Sequence, residues 1–480
     1  MNTILLQPTD VLFFRDSRPM TGSLAGHGAA WPLPNVINAA FHAALHRGFP
    51  VEHSLLKGVS ATPHGDHVHK IVRVNKDGRR ETHDDGRHRR FGSLVTAGPF
   101  PVNGEHRWFF PRPLDLQDTT LGPALLPSPS PGGTHASSLP KPLRYAAANR
   151  LPPTKESAVK GWLSREAFAA YLRNDDDFGL DGHALNDSEF CDQEHTIGIQ
   201  IDPATGTTGR GEAAGRIYSA HYLRLRDREQ WRLGLLADCR KAEDARLLDN
   251  LLTDGACIVV GGQQRICTAR RVPESPAQCL PTGLKLGADF RLSNGKALVK
   301  WVLLSPAIWP EMTDGPSHRG TERMGHCGGW LPNWVDPQTG ALLLRGVAQE
   351  ERKRRRSINA SGQGYRSEDG ADAISANLVA AIIPKPLVVT GWALPDEAAA
   401  EQGGAQSTHL AVPAGAVYYF EAGSADDARK LATALNWHGS ESSPTTIKNR
   451  RSTLLGEKGF GLGVCGTWQF FPNVPGRSGN

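Results

Sequence analysis

Arginine and glycine keep company at three places in this chain, and the pairing suits an extended anionic ligand. Arg15 and Arg18 flank a short Asp-Ser turn after the first apolar run. Gly261-Gly262 is followed by Arg265, Arg270 and Arg271. Near the C-terminus, Lys458 leads into Gly459-Phe460-Gly461-Leu462-Gly463, behind Lys448, Arg450 and Arg451. Glycine lets the backbone approach a ligand with its N–H groups turned outward, and guanidinium forks match phosphate oxygens. Together they supply what a groove tracking a nucleic-acid backbone requires. The C-terminal stretch is no Walker A loop, because no Gly-Lys-Ser/Thr closes it. Nor does an ordered strand–GxGxxG–helix unit support a dinucleotide site. Its local spacing also fits a plain glycine turn between strands.

A catalytic reading has one candidate. Cleaving RNA without a metal needs a base near the 2′-hydroxyl and a stabiliser for the charge on phosphorus. His27, between Gly26 and Gly28 in the first arginine-bearing loop, is placed for the first of these roles. RNA contact, or a plain loop position, is its alternative. His42 and His46 fall on a helical pattern and read as packing or surface residues. His64, His67 and His69 lack a Cys or acidic partner at ligand spacing, so no metal is expected there. Seven cysteines without a CxxC pair argue against a disulfide framework and against a structural zinc site. No cofactor is expected. Trp301, Trp309, Trp330 and Trp334 suit either a core or the anchors of a protein interface.

These residues need elements to hold them. Residues 3–14 read as a strand kinked at Pro8, followed by a charged, glycine-rich loop. Asn35 then caps a helix over about 36–47. A short amphipathic helix is expected in WLSREAFAAYLRN, and a half-buried hairpin arm where Ile197, Ile199 and Ile201 alternate with polar residues. Residues 239–253 form a helix, and Cys257 opens a short apolar strand that ends at Gly261-Gly262. This strand–helix–strand–strand–helix–strand order is the ferredoxin-like one, shared with RNA-recognition modules. A second set follows: strands at 297–304, 376–383, 386–392 and 416–420, a helix at 425–436, then the final glycine-rich segment. The expected fold class is α+β, with two ferredoxin-like (RRM-like) domains in tandem, residues 1–275 and 276–480, carrying long loop and hairpin insertions. Residues 60–150 read as one insertion and 345–375 as another.

Composition agrees with that plan. A chain of 480 residues exceeds one ordinary core, and 52 glycines with 34 prolines imply many loops. The net charge of +5 is modest but clustered, in Arg352-Lys353-Arg354-Arg355-Arg356 and among Arg79, Arg80, Arg87, Arg89 and Arg90. A start without a signal-peptide pattern and the lack of any long apolar run give a soluble, cytoplasmic expectation.

Several stretches carry a more specific resemblance. Leu12-Phe13-Phe14-Arg15-Asp16-Ser17-Arg18-Pro19 resembles the opening signature of the RAMP subunit that holds the guide-RNA 5′ handle in type III-B (Cmr-type) CRISPR effector complexes. Gly198-Ile199, then Ile217-Tyr218-Ser219 and Leu223-Arg224, resemble that family's central hairpin. Val260-Gly261-Gly262-Gln263-Gln264-Arg265 resembles its GGE-R motif, with Gln264 as a departure. Leu304-Ser305-Pro306-Ala307 resembles its TPA segment, and Gly391-Trp392 with Val412-Pro413-Ala414-Gly415-Ala416-Val417-Tyr418-Tyr419-Phe420 its PAGSVYYF strand. Gly459-Phe460-Gly461 through Gly466-Thr467-Trp468 close the series in order. The resemblance implies binding of the repeat-derived 5′ handle, and docking to a large polymerase-like subunit and an adjacent backbone RAMP subunit. It also implies that the chain is not the nuclease of its complex. The RNA-contacting set is then Arg15, Arg18, His27, Gly261, Gly262, Arg265, Arg270, Lys458, Gly459, Gly461 and Gly463.

Overall fold

The computed structural model describes residues 1–15, 24–26, 28–49, 71–74, 80–83, 91–116, 121–123, 125–128, 139–149, 159–199, 201–202, 205–207, 217–228, 230–253, 255–313, 315–316, 322–323, 325–349, 372–393, 404–405 and 407–471. The N-terminal half runs β1 (Asn2–Pro8), α1 (Pro34–Gly48), β2 (Leu94–Val102), α2 (Arg165–Arg173), β3 (Cys191–Ile199), β4 (Ile217–Leu225), β5 (Arg232–Cys239), α3 (Ala242–Leu251), β6 (Ala256–Val259) and β7 (Ile266–Val272). The C-terminal half adds β8 (Lys296–Leu303), β9 (Ala376–Ile382), β10 (Val417–Ala422), α4 (Ala425–Leu435) and β11 (Gly463–Thr467).

The apolar run of β1 buries both faces, with Ile4, Leu5 and Leu6 all inaccessible, and this makes it the centre of a sheet. The sheet order is β6–β7–β1–β5–β2, and every neighbouring pair is antiparallel. Ile37, Phe41 and Leu45 of α1 and Leu248 of α3 pack on Ile4, Leu6, Leu235 and Ala269. The strand ends at Pro8, and the next bridge, Leu12–Leu223, is to β4 of the hairpin, so the expected strand to residue 14 is cut short. Helix α1 starts two residues before the expected first turn. Leu33, not Asn35, is its cap, and Pro34 takes the first helical position, where a missing N–H costs nothing.

The C-terminal sheet has the order β11–β8–β10–β9. Numbered along the chain, β1, β2, β5 and β7 stand in the order 4-1-3-2, and so do β8 to β11. The second crossover of the C-terminal sheet carries α4, whose Leu431 and Leu435 pack on Val299, Trp301 and Phe420. A further core cluster joins the two halves: Leu5, Phe100 and Tyr171 pack in it with Val302, Tyr419 and Trp468.

Two expectations change, and one left open is decided. Residues 60–150 are not one excursion, because Leu94–Val102 is buried at every position and forms an edge of the N-terminal sheet. Pro99 and Pro101 hide that strand in the sequence, and an edge is where a sheet tolerates missing N–H donors. Ile197, Ile199 and Ile201 are 68%, 54% and 59% exposed, because the β3–β4 hairpin projects beyond the core and buries only its base. Trp301, Trp309 and Trp334 are buried together, with Trp301 5.5 Å from Trp334, so they are core and not interface anchors. Trp330 packs half-buried against them. His42 is a buried packing residue.

Among the described residues all seven cysteines are free, no group of three or more His, Cys, Asp or Glu side chains gathers as a metal site would require, and no helix is long and apolar enough to cross a membrane.

His438, just past α4, is fully buried, and its Nε2 accepts from the Gly283 N–H at 3.0 Å. Burial, and then the Lys285 charge, lower its pKa from 6.5 to about 4. The folded state keeps the ring neutral while the unfolded chain takes up a proton below pH 6.5. Stability from this group is therefore complete above pH 6.5 and declines as the pH falls towards 4, by about 3 kcal/mol at roughly 1.4 kcal/mol per pKa unit. Urea melts of His438→Gln should show a shallower loss between pH 6.5 and 4 than the wild type; an equal loss would assign the acid sensitivity elsewhere.

Candidate nucleic-acid interface

The two halves meet at an apolar cleft of about 560 Å³. The exit of β1 brings Phe14 and Arg15 to it, and residues 28–36 follow round its wall into the start of α1. Strand β2 supplies Gly98, Pro99 and Phe100, the end of β8 supplies Leu304, Ser305 and Pro306, and the approach to β10 supplies Pro413 and Ala414. Trp31 is fixed by donating from Nε1 to the Pro99 carbonyl at 3.0 Å and by edge-on contacts with Trp162 and Phe190 at 5.6 and 5.5 Å. Arg15 is exposed at this wall, pinned through its backbone by a bridge to Gly28. Three stretches singled out in the sequence thus converge on one cavity, through Phe14 and Arg15, through Leu304, Ser305 and Pro306, and through Pro413 and Ala414. An apolar aromatic wall with a guanidinium beside it suits a flat, anionic ligand such as a nucleotide unit.

Gly261-Gly262 sits immediately behind this wall. Gly261 has φ +76°, and a Cβ there would stand 2.4 Å from the Phe13 carbonyl oxygen. Gly262 donates its N–H to that same oxygen at 2.8 Å. The pair therefore seats Phe13 and Phe14, and so aims Arg15. Arg265 lies 5.0 Å over the Tyr222 ring and 3.6 Å from Asp10, which also pairs with Arg224 at 3.0 Å. These contacts tie the base of the β3–β4 hairpin to the exit of β1. Arg270 stands exposed on β7.

The C-terminal glycines play a different part from the one expected. Gly459, Gly461 and Gly463 are buried, and the amides of Gly459 and Gly461 are already used. Gly459 donates to Gly456, Gly461 donates to Pro306 at 2.7 Å, and Gly463 pairs with Leu303 across the sheet. A Cβ at Gly459 would lie 3.1 Å from Pro34 Cβ and 3.2 Å from the Thr96 oxygen, and one at Gly463 would lie 2.4 Å from Trp301 Nε1. Close approach of backbone to backbone explains them, and they weld the C-terminal half to α1 and β2. An amide cradle for phosphate is not open here. Lys458 ends the short helical turn Gly456–Lys458 at that seam, half-buried.

Arg18 and His27 lie outside the described residues, as do His64, His67, His69 and the basic run at 352–356. Arg232, on β5, was not singled out in the sequence, and it is near enough to Arg270 to feel its charge.

The fold and the cleft define an α+β protein built on two antiparallel sheets, with an arginine-bearing cavity where they meet. The family described as CRISPR-associated protein (Cas_Cmr3) matches residues 4–468, and the chain belongs to it. No curated protein matches the chain. Among solved structures, a chain of the type III-B Cmr-beta complex bound to cognate target RNA and AMPPnP is similar over 87% of this chain and 86% of its own, at 13% identity and a TM-score of 0.38. A chain of the Csm3-Csm4 subcomplex of the type III-A CRISPR-Cas interference complex is similar over 87% and 92%, at 9% identity and a TM-score of 0.34.

Proposed function

We propose that this chain is the subunit of a type III-B antiviral effector complex that binds the 5′ handle of the guide RNA. In this role it caps the complex's backbone, beside an adjacent backbone RAMP subunit, and links it to the large polymerase-like subunit. The observation that carries the reading is convergence. Three separate stretches of a family match that runs almost end to end close round the cleft beside Arg15. The two 4-1-3-2 sheets support the tandem ferredoxin-like architecture that goes with it, divided near residue 275. The chain acts in the cytoplasm, without metal or cofactor of its own.

Arg15→Ala combined with Arg18→Ala should weaken binding of repeat-derived RNA about tenfold and leave the urea midpoint unchanged, because exposed arginines add little stability. Unchanged affinity would remove the first loop from the site.

The chain holds RNA and leaves cutting to partners. Incubated with repeat RNA and a chelator, the purified protein should return it intact. Metal-independent cleavage lost in His27→Ala would replace this reading with an endoribonuclease.

A further inference from the structure

Several arginines on the strands of the N-terminal half come with carboxylates. Arg226 pairs with Asp192 at 2.7 Å, Arg265 with Asp10 at 3.6 Å and Arg271 with Asp249 at 3.4 Å. Arg232 and Arg270 depart from that pattern. Strand β1 lies between them: Arg270 on β7 is opposite Leu5, and on β5 Arg232 comes one position before Leu233, which is opposite Leu6. Facing residues on paired strands share a side of the sheet, as do alternate residues along one strand. Leu5, Gln7, Thr268, Arg232 and Arg270 therefore stand on one side.

Arg232 donates from Nε to Gln7 Oε1 at 2.9 Å and from Nη2 to Gln230 Oε1 at 3.2 Å, both neutral acceptors. Neither guanidinium meets a carboxylate among the described residues. The two charges are close enough to act on each other: burial first, and then Arg270, lower the Arg232 pKa. Two neighbouring cations without a counterion destabilise the free protein, and an anion placed between them relieves that cost. None of these residues lines the cleft.

We propose that Arg232 and Arg270 together bind a backbone phosphate of single-stranded RNA crossing this face of the N-terminal sheet. The proposal rests on the reading that the chain binds RNA, and adds a second contact point to it. The Arg270 fork and the donors of Arg232 not engaged by Gln7 and Gln230 suit a phosphodiester's free oxygens, and Gln7 and Thr268 add neutral groups beside them. Arg232, Arg270, Gln7 and Thr268 supply no aromatic platform, so they position the strand without reading its bases.

The test uses the full chain, a labelled single-stranded repeat RNA and a salt titration. Relative to wild type, Arg232→Gln/Arg270→Gln should bind roughly tenfold more weakly, and its log–log salt slope should fall by about 0.7 to 1. Its urea midpoint should stay level or rise, since a repulsion has been removed. Unchanged affinity and slope against a steeply salt-dependent wild type would overturn this site alone. A lower urea midpoint accompanying the affinity loss would make the pair structural and overturn it too. So would unchanged RNA binding with weaker co-assembly, which would assign the pair to an acidic protein partner. A wild type that binds no RNA would overturn both this site and the proposed function.

Discussion

Asp115→Ala is expected to destabilise the protein by about 3–5 kcal/mol, the cost of stranding a buried charge. Asp115 and Lys300 are each 1% exposed and lie 3.5 Å apart. Tyr171 donates to both carboxylate oxygens at 2.8 and 2.9 Å, Tyr419 donates at 3.3 Å, and the Lys300 ammonium sits 3.5 Å from the centre of the Tyr171 ring. Burial lowers the Lys300 pKa against the pull of Asp115, and burial, reinforced by Asp115, raises both tyrosines well above their usual range. The four groups come from the segment after residue 111, from α2, from β8 and from β10, so they bind the two halves together. Loss of this size takes most of a typical stability of about 5–15 kcal/mol. Asp115→Asn/Lys300→Met should recover much of it, because neither charge of the pair is then left buried without the other. Urea unfolding of both variants checks this, and a double variant no better than Asp115→Ala would show that the pair acts through packing alone.

Gly461→Val should yield no folded protein. The residue has φ +75°, where a β-branched side chain is strained, and its Cβ would stand 2.0 Å from the Ser452 backbone nitrogen. No rotamer change relieves a clash with backbone. Gly329 is the control: it has φ +67° with nothing within 4 Å of a Cβ, so Gly329→Ala should cost only about 1 kcal/mol. Soluble yield and circular dichroism separate the two. A cooperatively folded Gly461→Val would refute the welding role assigned to this stretch.

Strongly periodic segments were legible: α3, α4, β8 and β10 lie within a few residues of where apolar spacing puts them. The core strand β2 was not, because Pro99 and Pro101 read as loop and its burial depends on β5 beside it. The glycines at 459–463 were legible as special but not in their reason, since their neighbours Pro34, Thr96 and Trp301 are remote in sequence. Arg15 was legible from its motif. Arg232 was not: one arginine in an apolar strand gains meaning only when Arg270 is found across β1. Asp115 and Lys300 are 185 positions apart, and no spacing rule joins them.

The central claim is that this chain holds the constant 5′ segment of a guide RNA. Photo-crosslinking of the complex assembled in cells, with peptides and RNA mapped together, tests it most directly. Short RNAs sharing one 5′ sequence are expected, with that segment crosslinked to peptides round the cleft, containing Arg15 or Trp31. Crosslinks from the 5′ segment to other subunits only would contradict it.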